Sequence, residues 1–179
     1  MCVGLPHRGF HRAGGLGTPR TPRQAEAATI QESAHCTGWR VDDGFDLDRF
    51  LGQPLVARVA TVGRTGPSVR PLWFLWEGGA FWWLTGGWSR LGQILERDPR
   101  VALVVDTCDF DRGEVLQVTA RGTAELHPFE ADRARRWGRR YLGPDERHWR
   151  RFQGDVFDDP TTRFVALEPT VLRARDLSY

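Results

Sequence analysis

Apolar and polar positions change their period repeatedly between Asp46 and Arg175. Leu55 to Val62 (LVARVATV) is a β-branched run that reads as a strand, and Gly63-Arg64-Thr65-Gly66 after it reads as a hairpin turn. Val69 to Trp76 and Ala80 to Thr85 form two further strands whose aromatic residues crowd onto both faces, with Glu77-Gly78-Gly79 as the break. Leu91, Ile94 and Leu95 then recur at helical spacing, so a helix is predicted from Ser89 and Arg90 to the stop at Asp98-Pro99. Val101 to Asp106 and the long run Glu114 to Leu126 return to strand patterning. Pro128 suits the first turn of a helix reaching Leu142, with Ala134, Trp137, Gly138 and Tyr141 on one face. Shorter elements complete the reading. Asp46 caps a helix carrying Leu47, Phe50 and Leu51, Pro144-Asp145-Glu146 opens another helix, and Arg163–Leu167 and Val171–Ala174 are strands separated by Glu168-Pro169.

Meandering strands with helices at the margins imply an α+β fold built on an antiparallel β-barrel with short flanking helices. Leu72, Phe74 and Trp76 lie on one face of the second strand and Trp73 and Leu75 on the other, and in a small barrel one of the two faces fills the interior. The other face then needs a cover, and a second copy of the chain supplies it most simply, so a homodimer is expected. Residues 1–40 are rich in Gly, Pro, Arg and Ala with little periodicity and are expected to be disordered, leaving 41–179 as one domain. An Arg-rich targeting arm is the functional alternative for that extension.

Composition narrows the picture. All 25 basic residues are arginine, yet the net charge is only +2, which argues against a general polyanion binder. Arg133, Arg135, Arg136, Arg139 and Arg140 form a basic helix surface, best read as solvated and paired with acids such as Glu130 and Asp132; without a recognition motif, no nucleic-acid role is expected. Cys2, Cys36 and Cys108 make no CxxC pair, favouring a reducing cytoplasm, and no apolar run suggests a membrane span. The five histidines show no metal spacing, and the acids around Gly113 suit a hairpin connection better than a calcium loop, so no metal site is predicted. Nor is there a Ser-His-Asp or Cys-His arrangement that would mark catalytic side chains.

The candidate chemistry lies between Arg70 and Arg90. A hydroxyl and a guanidinium where a helix begins (Ser89-Arg90) form a plausible phosphate seat, and Arg70, a charge among large apolar neighbours, needs an anion or a carboxylate. The run GPSVRPLWFLWEGGAFWWLTGGWSRLGQILERDPRVALVVD, followed by LQVTARGTAEL, resembles the FMN-binding split-barrel family of pyridoxamine phosphate oxidase and its deazaflavin-using relatives, over roughly Leu47 to Arg175. The resemblance implies a split barrel with the cofactor at a dimer interface, and hydride transfer to or from a small organic substrate. It implies that Arg70, Ser89 and Arg90 hold the phosphate, that Leu84 and Thr85 contact the ribityl chain and that Gln117 reaches the ring. Leu91 stands where the family pattern has lysine, and near Arg173 an aromatic is missing from the oxidase pattern. The implied cofactor is FMN, with the coenzyme F-420 deazaflavin as alternative. A non-catalytic flavin- or haem-binding split barrel is the rival reading, its haem version resting on His127.

Overall fold

The computed structural model describes residues 38–179. The chain runs β1 (Trp39–Val41), α1 (Leu47–Leu51), β2 (Val56–Gly63), β3 (Gly66–Trp73), β4 (Leu75–Glu77), β5 (Ala80–Thr85), α2 (Leu91–Arg97), β6 (Arg100–Asp109), β7 (Glu114–Pro128), α3 (Ala131–Leu142) and β8 (Arg163–Asp176). Between α3 and β8 lie a 3-10 turn (Glu146–Trp149), a short α turn (Arg150–Phe152) and a π turn (Gln153–Phe157). The expected extension falls outside the described residues up to position 37, and β1 places order a few residues earlier than the sequence suggested.

The strands form one sheet in the order β3-β2-β6-β7-β8-β5-β4, antiparallel throughout, with β1 added in parallel beside β8. The two ends of that order, β3 and β4, are successive pieces of one run of chain separated only by Phe74. The sheet therefore curls until its edges are joined covalently, which is a barrel with a split, as the α+β expectation required. At Phe74 the chain leaves its pairing with β2 and begins pairing with β5. The Tyr141 hydroxyl fills the break, accepting from the Phe74 N–H at 3.0 Å and lying 2.9 Å from the Phe74 carbonyl and 2.7 Å from that of Leu55. Its single proton serves one carbonyl at a time, while its oxygen satisfies an amide that has lost its ladder.

Turn chemistry fits the sequence reading. Asp46 caps α1 by accepting from the Arg49 N–H at 3.0 Å. Gly78 and Gly79 adopt φ of 62° and 76°, the left-handed pair that a tight β4–β5 hairpin demands. Other elements differ. Pro128 ends β7 and α3 begins at Ala131, because strand pairing with Arg163 extends through the proline. Glu168-Pro169 does not interrupt β8; a register shift at Arg121/Gly122 takes up the irregularity there. Ser89 and Arg90 precede α2 rather than opening it.

The barrel interior is filled by residues such as Val59, Phe74, Phe81, Trp83, Val105, Val118 and Leu172, with Leu91 and Leu95 of α2 inserted from one side. A second cluster lies outside the barrel, where Trp137 of α3 and Phe152 and Phe157 beyond it pack on Trp73, Leu75, Trp82 and Leu84. This corrects the expected cover for the second face of β4 and β5: it comes from the same chain. The bare face is instead the outer side of β2, β3, β6, β7 and β8, where Val56, Val62 and Val69 are exposed, Val69 at 67%.

Candidate functional site

The site grows out of the split. The edge of β5 that pairs with β4 does so only as far as Trp82, leaving Trp83, Leu84 and Thr85 without a strand on that side. The facing edge of β3 is likewise unpaired, although β3 and β5 remain close enough for Cα atoms within 8 Å. A slit between two strands results, with backbone donors and acceptors along both lips and different side chains on its two flanks.

On the barrel flank stand Arg70 and Thr85. Arg70 lies opposite Val59, which is fully buried, so its side chain starts on the interior face. Thr61 Oγ1 and Ser68 Oγ, on that same face, are 3.2 Å apart, and Arg70 Nη2 donates weakly to Ser68 Oγ at 3.4 Å. Thr85 alternates with the core residue Trp83, and Gly92 of α2 sits beside its methyl group. Arg70 Nε, Thr85 Oγ1 and Trp83 Nε1 are all buried without a hydrogen-bond partner. Leaving such groups unpaired costs about 1–3 kcal/mol each. Arg70 and Thr85 belong to the two strands that flank the slit, and Trp83 lies within the barrel core.

The α3 flank is aromatic. A cavity of about 500 Å³ opens there, lined by Pro71, Leu72 and Trp73 of β3, Leu84 of β5, Trp88, Trp137 of α3, and Phe152, Asp155 and Val156. Trp73 lies nearly parallel to Tyr141, with ring centroids 4.8 Å apart and 6° between planes, and also touches Trp137 and Phe152. Several polar atoms here are partnered: Trp137 Nε1 donates to the Trp73 carbonyl, and Arg133 lies 3.7 Å over the Trp82 ring while binding Glu77 and Glu130. Hydrogen bonds from Arg136, then from Arg133, hold the Glu77 carboxyl below its ordinary value. Burial pushes the Tyr141 phenol up and the Arg140 guanidinium down.

A family model described as pyridoxamine 5′-phosphate oxidase matches residues 46–175. The chain belongs to the pyridoxamine 5′-phosphate oxidase family. Among solved structures it is similar to a conserved hypothetical protein from Mycobacterium tuberculosis (23% identity, TM-score 0.59, covering 72% of this chain and 81% of that one). An F-420 reductase is 25% identical, with a TM-score of 0.53 and coverage of 70% and 94%. A haem storage protein from Vibrio cholerae shares the fold at 17% identity, TM-score 0.54 and coverage of 69% and 88%. No curated protein matches the sequence.

In this member of the oxidase family, the residues singled out from sequence divide into three groups. Arg70 and Thr85 share the barrel flank, and Leu84 faces the aromatic cavity while its backbone lies on the open lip. Ser89 and Arg90 occupy the loop joining the slit to α2; Ser89 Oγ accepts from the Leu91 N–H at 3.2 Å, and Arg90 is exposed. Leu91, which replaces the lysine of the family pattern, is buried in the core at 1% exposure, so no cation takes that place. Gln117 stands apart, on the outer face between Asp106 and Arg175. Trp137 and Asp155 were not foreseen as cavity residues, since only the packing of α3 and the π turn brings them there.

His127 packs against Trp82, with ring centroids 5.1 Å apart, and borders a small cavity of about 70 Å³. Asp109 accepts from the Asp111 and Arg112 N–H groups in a hairpin turn, and no metal-binding cluster occurs among the described residues. The α3 arginines are engaged as anticipated, Arg135 with Asp132 and Arg139 with Glu146, while Arg140 donates to the Leu51 and Gln53 carbonyls. No helix among the described residues is long and apolar enough to cross a membrane.

Proposed function

We propose that the protein is a homodimeric flavin- or deazaflavin-dependent oxidoreductase acting on a small organic substrate in the cytoplasm. The observation that carries this reading is the pair of unpartnered buried groups, Arg70 Nε and Thr85 Oγ1, on the barrel flank of the slit. Arg70, with Ser89 and Arg90 from the adjoining loop, holds the cofactor phosphate by charge-assisted hydrogen bonds. Thr85 and the open backbone lip at Leu84 hold the polyol chain. The bound flavin or deazaflavin ring supplies the hydride chemistry, so the chain needs to position and shield rather than donate an acid or base.

The bare outer face gives the dimer its surface, and Gln117 lies in it, placed to meet a ring held by the other subunit. The exposed thiol of Cys108 accords with a reducing compartment. FMN is the preferred cofactor because the Arg70, Ser89-Arg90 and Gln117 positions follow its pattern. The F-420 deazaflavin is the alternative, supported by the reductase among the similar structures and by Leu91, which removes one cation from the phosphate seat.

Calorimetric titration of the purified chain with FMN and with F-420 tests the assignment. Saturable binding of one of them, one molecule per subunit, is expected; uptake of neither ends the redox reading. Sedimentation showing a monomer at micromolar concentration ends the dimer.

A further inference from the structure

A pair of hydroxyls stands beside Arg70 on the barrel flank. Thr61 of β2 and Ser68 of β3 lie directly opposite each other in the antiparallel register, and their oxygens are 3.2 Å apart. Arg70, two positions along β3, reaches back to the same Ser68 oxygen through Nη2 at 3.4 Å. Simple chemistry fixes the direction of each bond. A guanidinium has no lone pair to offer, so Ser68 Oγ accepts from Arg70. Thr61 is buried at 2% exposure, and among the described residues its hydroxyl bonds to Ser68 Oγ alone. A buried hydroxyl keeps its proton engaged, so Thr61 donates and Ser68 accepts a second time. Both lone pairs of Ser68 are then used, and its own proton is turned away from the two groups that hold it. Ser68 is half-buried where Thr61 is sealed in, so that proton has open space to meet. The contact from Arg70 is long, which steers the guanidinium without saturating it, and Arg70 Nε has no partner among the described residues.

We propose that Ser68 is a further donor of the anion seat, giving its proton to a phosphate oxygen of the cofactor, and that Thr61 is the positioning residue that turns it outward. Ser68 Oγ and Arg70 Nη2 are close enough to share one ligand oxygen. Leu91, buried in the core, takes one cation from the family's seat, and a hydroxyl on β3 restores a donor to it. That the anion belongs to a flavin or deazaflavin rests on the redox reading above; the role of Ser68 toward an anion rests on the hydrogen-bond chain alone.

The test is calorimetry on the full chain with the cofactor in two forms, with and without its phosphate: FMN against riboflavin, or F-420 against the deazaflavin that ends at its ribityl hydroxyl. Ser68→Ala is expected to weaken the phosphorylated form about tenfold and to leave the phosphate-free form unchanged. Ser68→Thr, which keeps the hydroxyl on a residue that suits a strand, should bind both forms as wild type does. Thr61→Val should weaken the phosphorylated form by about threefold, since the Ser68 hydroxyl is then free to rotate. Circular dichroism should show all three variants folded. Equal loss of both forms in Ser68→Ala, loss of neither, or a loss in Ser68→Thr as large as in Ser68→Ala overturns the proposal. Tighter binding in Thr61→Val also overturns it, because Ser68 would then have been donating to Thr61. A second probe separates this inference from the redox reading. Inorganic phosphate alone should raise the melting temperature of the wild-type chain and raise that of Ser68→Ala less; equal rises, or none, overturn the role of Ser68. If neither cofactor binds while that difference persists, the redox assignment falls and the anion seat stands. If a cofactor binds and Ser68→Ala is indifferent to its phosphate, the redox assignment stands and this inference falls.

Discussion

The two flanks of the slit are built from the same pair of strands and follow opposite rules. On the α3 side, Trp137, Tyr141, Arg133 and Arg136 have their polar atoms engaged with Glu77, Glu130 or backbone carbonyls. On the barrel side, Arg70, Thr85 and Trp83 each bury an atom with none. Arg140 Nε is the exception on the first flank, although its Nη2 is bound to two carbonyls. Under the proposed function, partnered groups on the α3 side hold the fold together, and the unpartnered Arg70 and Thr85 wait for the cofactor. Substitutions on the two sides should therefore separate stability from binding.

The largest effect is expected at Arg70. Arg70→Ala should weaken FMN by about one to two orders of magnitude in a calorimetric titration, the worth of a charge-assisted hydrogen bond, while leaving the urea midpoint close to wild type. Equal losses of stability and affinity would erase the distinction between the flanks. Tyr141→Phe should do the reverse, lowering stability in urea by about 1–3 kcal/mol because the Phe74 amide loses its acceptor, with cofactor affinity little changed.

Glu77→Gln should reduce stability by about 1 kcal/mol at neutral pH, a modest figure because the ion pairs are partly exposed. It should also alter the acid limb. The folded-state pKa of Glu77 is depressed, so its contribution is complete above the ordinary value of 4.5 and is lost as pH falls through the lower folded value. Unfolding measured from neutrality downward should accordingly show a shallower acid decline in the variant. The smallest effect is Thr85→Val, which replaces an unpartnered hydroxyl by a methyl group. Thermal stability should hold or rise slightly, while FMN affinity falls by about two- to tenfold.

Much of the fold was legible because its signals are local. Ala80–Thr85 and the start of β7 fall where the apolar and aromatic runs placed them, and the apolar stripe of α3 is buried at Ala134, Trp137 and Gly138. What escaped depends on contacts between distant residues. The second strand read as continuous from Val69 to Trp76 because its aromatic alternation runs straight through Phe74; the break is made by Tyr141, 67 positions away. β1 is three residues long and is fixed by Trp39 donating to the Pro169 carbonyl, 130 positions on. The same limit applied to the site. Arg70, Thr85 and the Ser89-Arg90 pair could be named from residue type and family pattern, whereas the aromatic cavity needed α3 to fold onto a face that the sequence alone assigned to a second subunit.

One residue, Phe74, joins the two halves of the strand that bounds the opening, and both of its backbone polar groups are tethered to a hydroxyl on α3. The seating of that helix and the width of the aperture therefore share one hinge point, and a shift of α3 should be felt at the slit. Helix and opening work as handle and jaw, so occupancy of the jaw should be audible at the handle, in the hydrogen-exchange rate of the Phe74 amide.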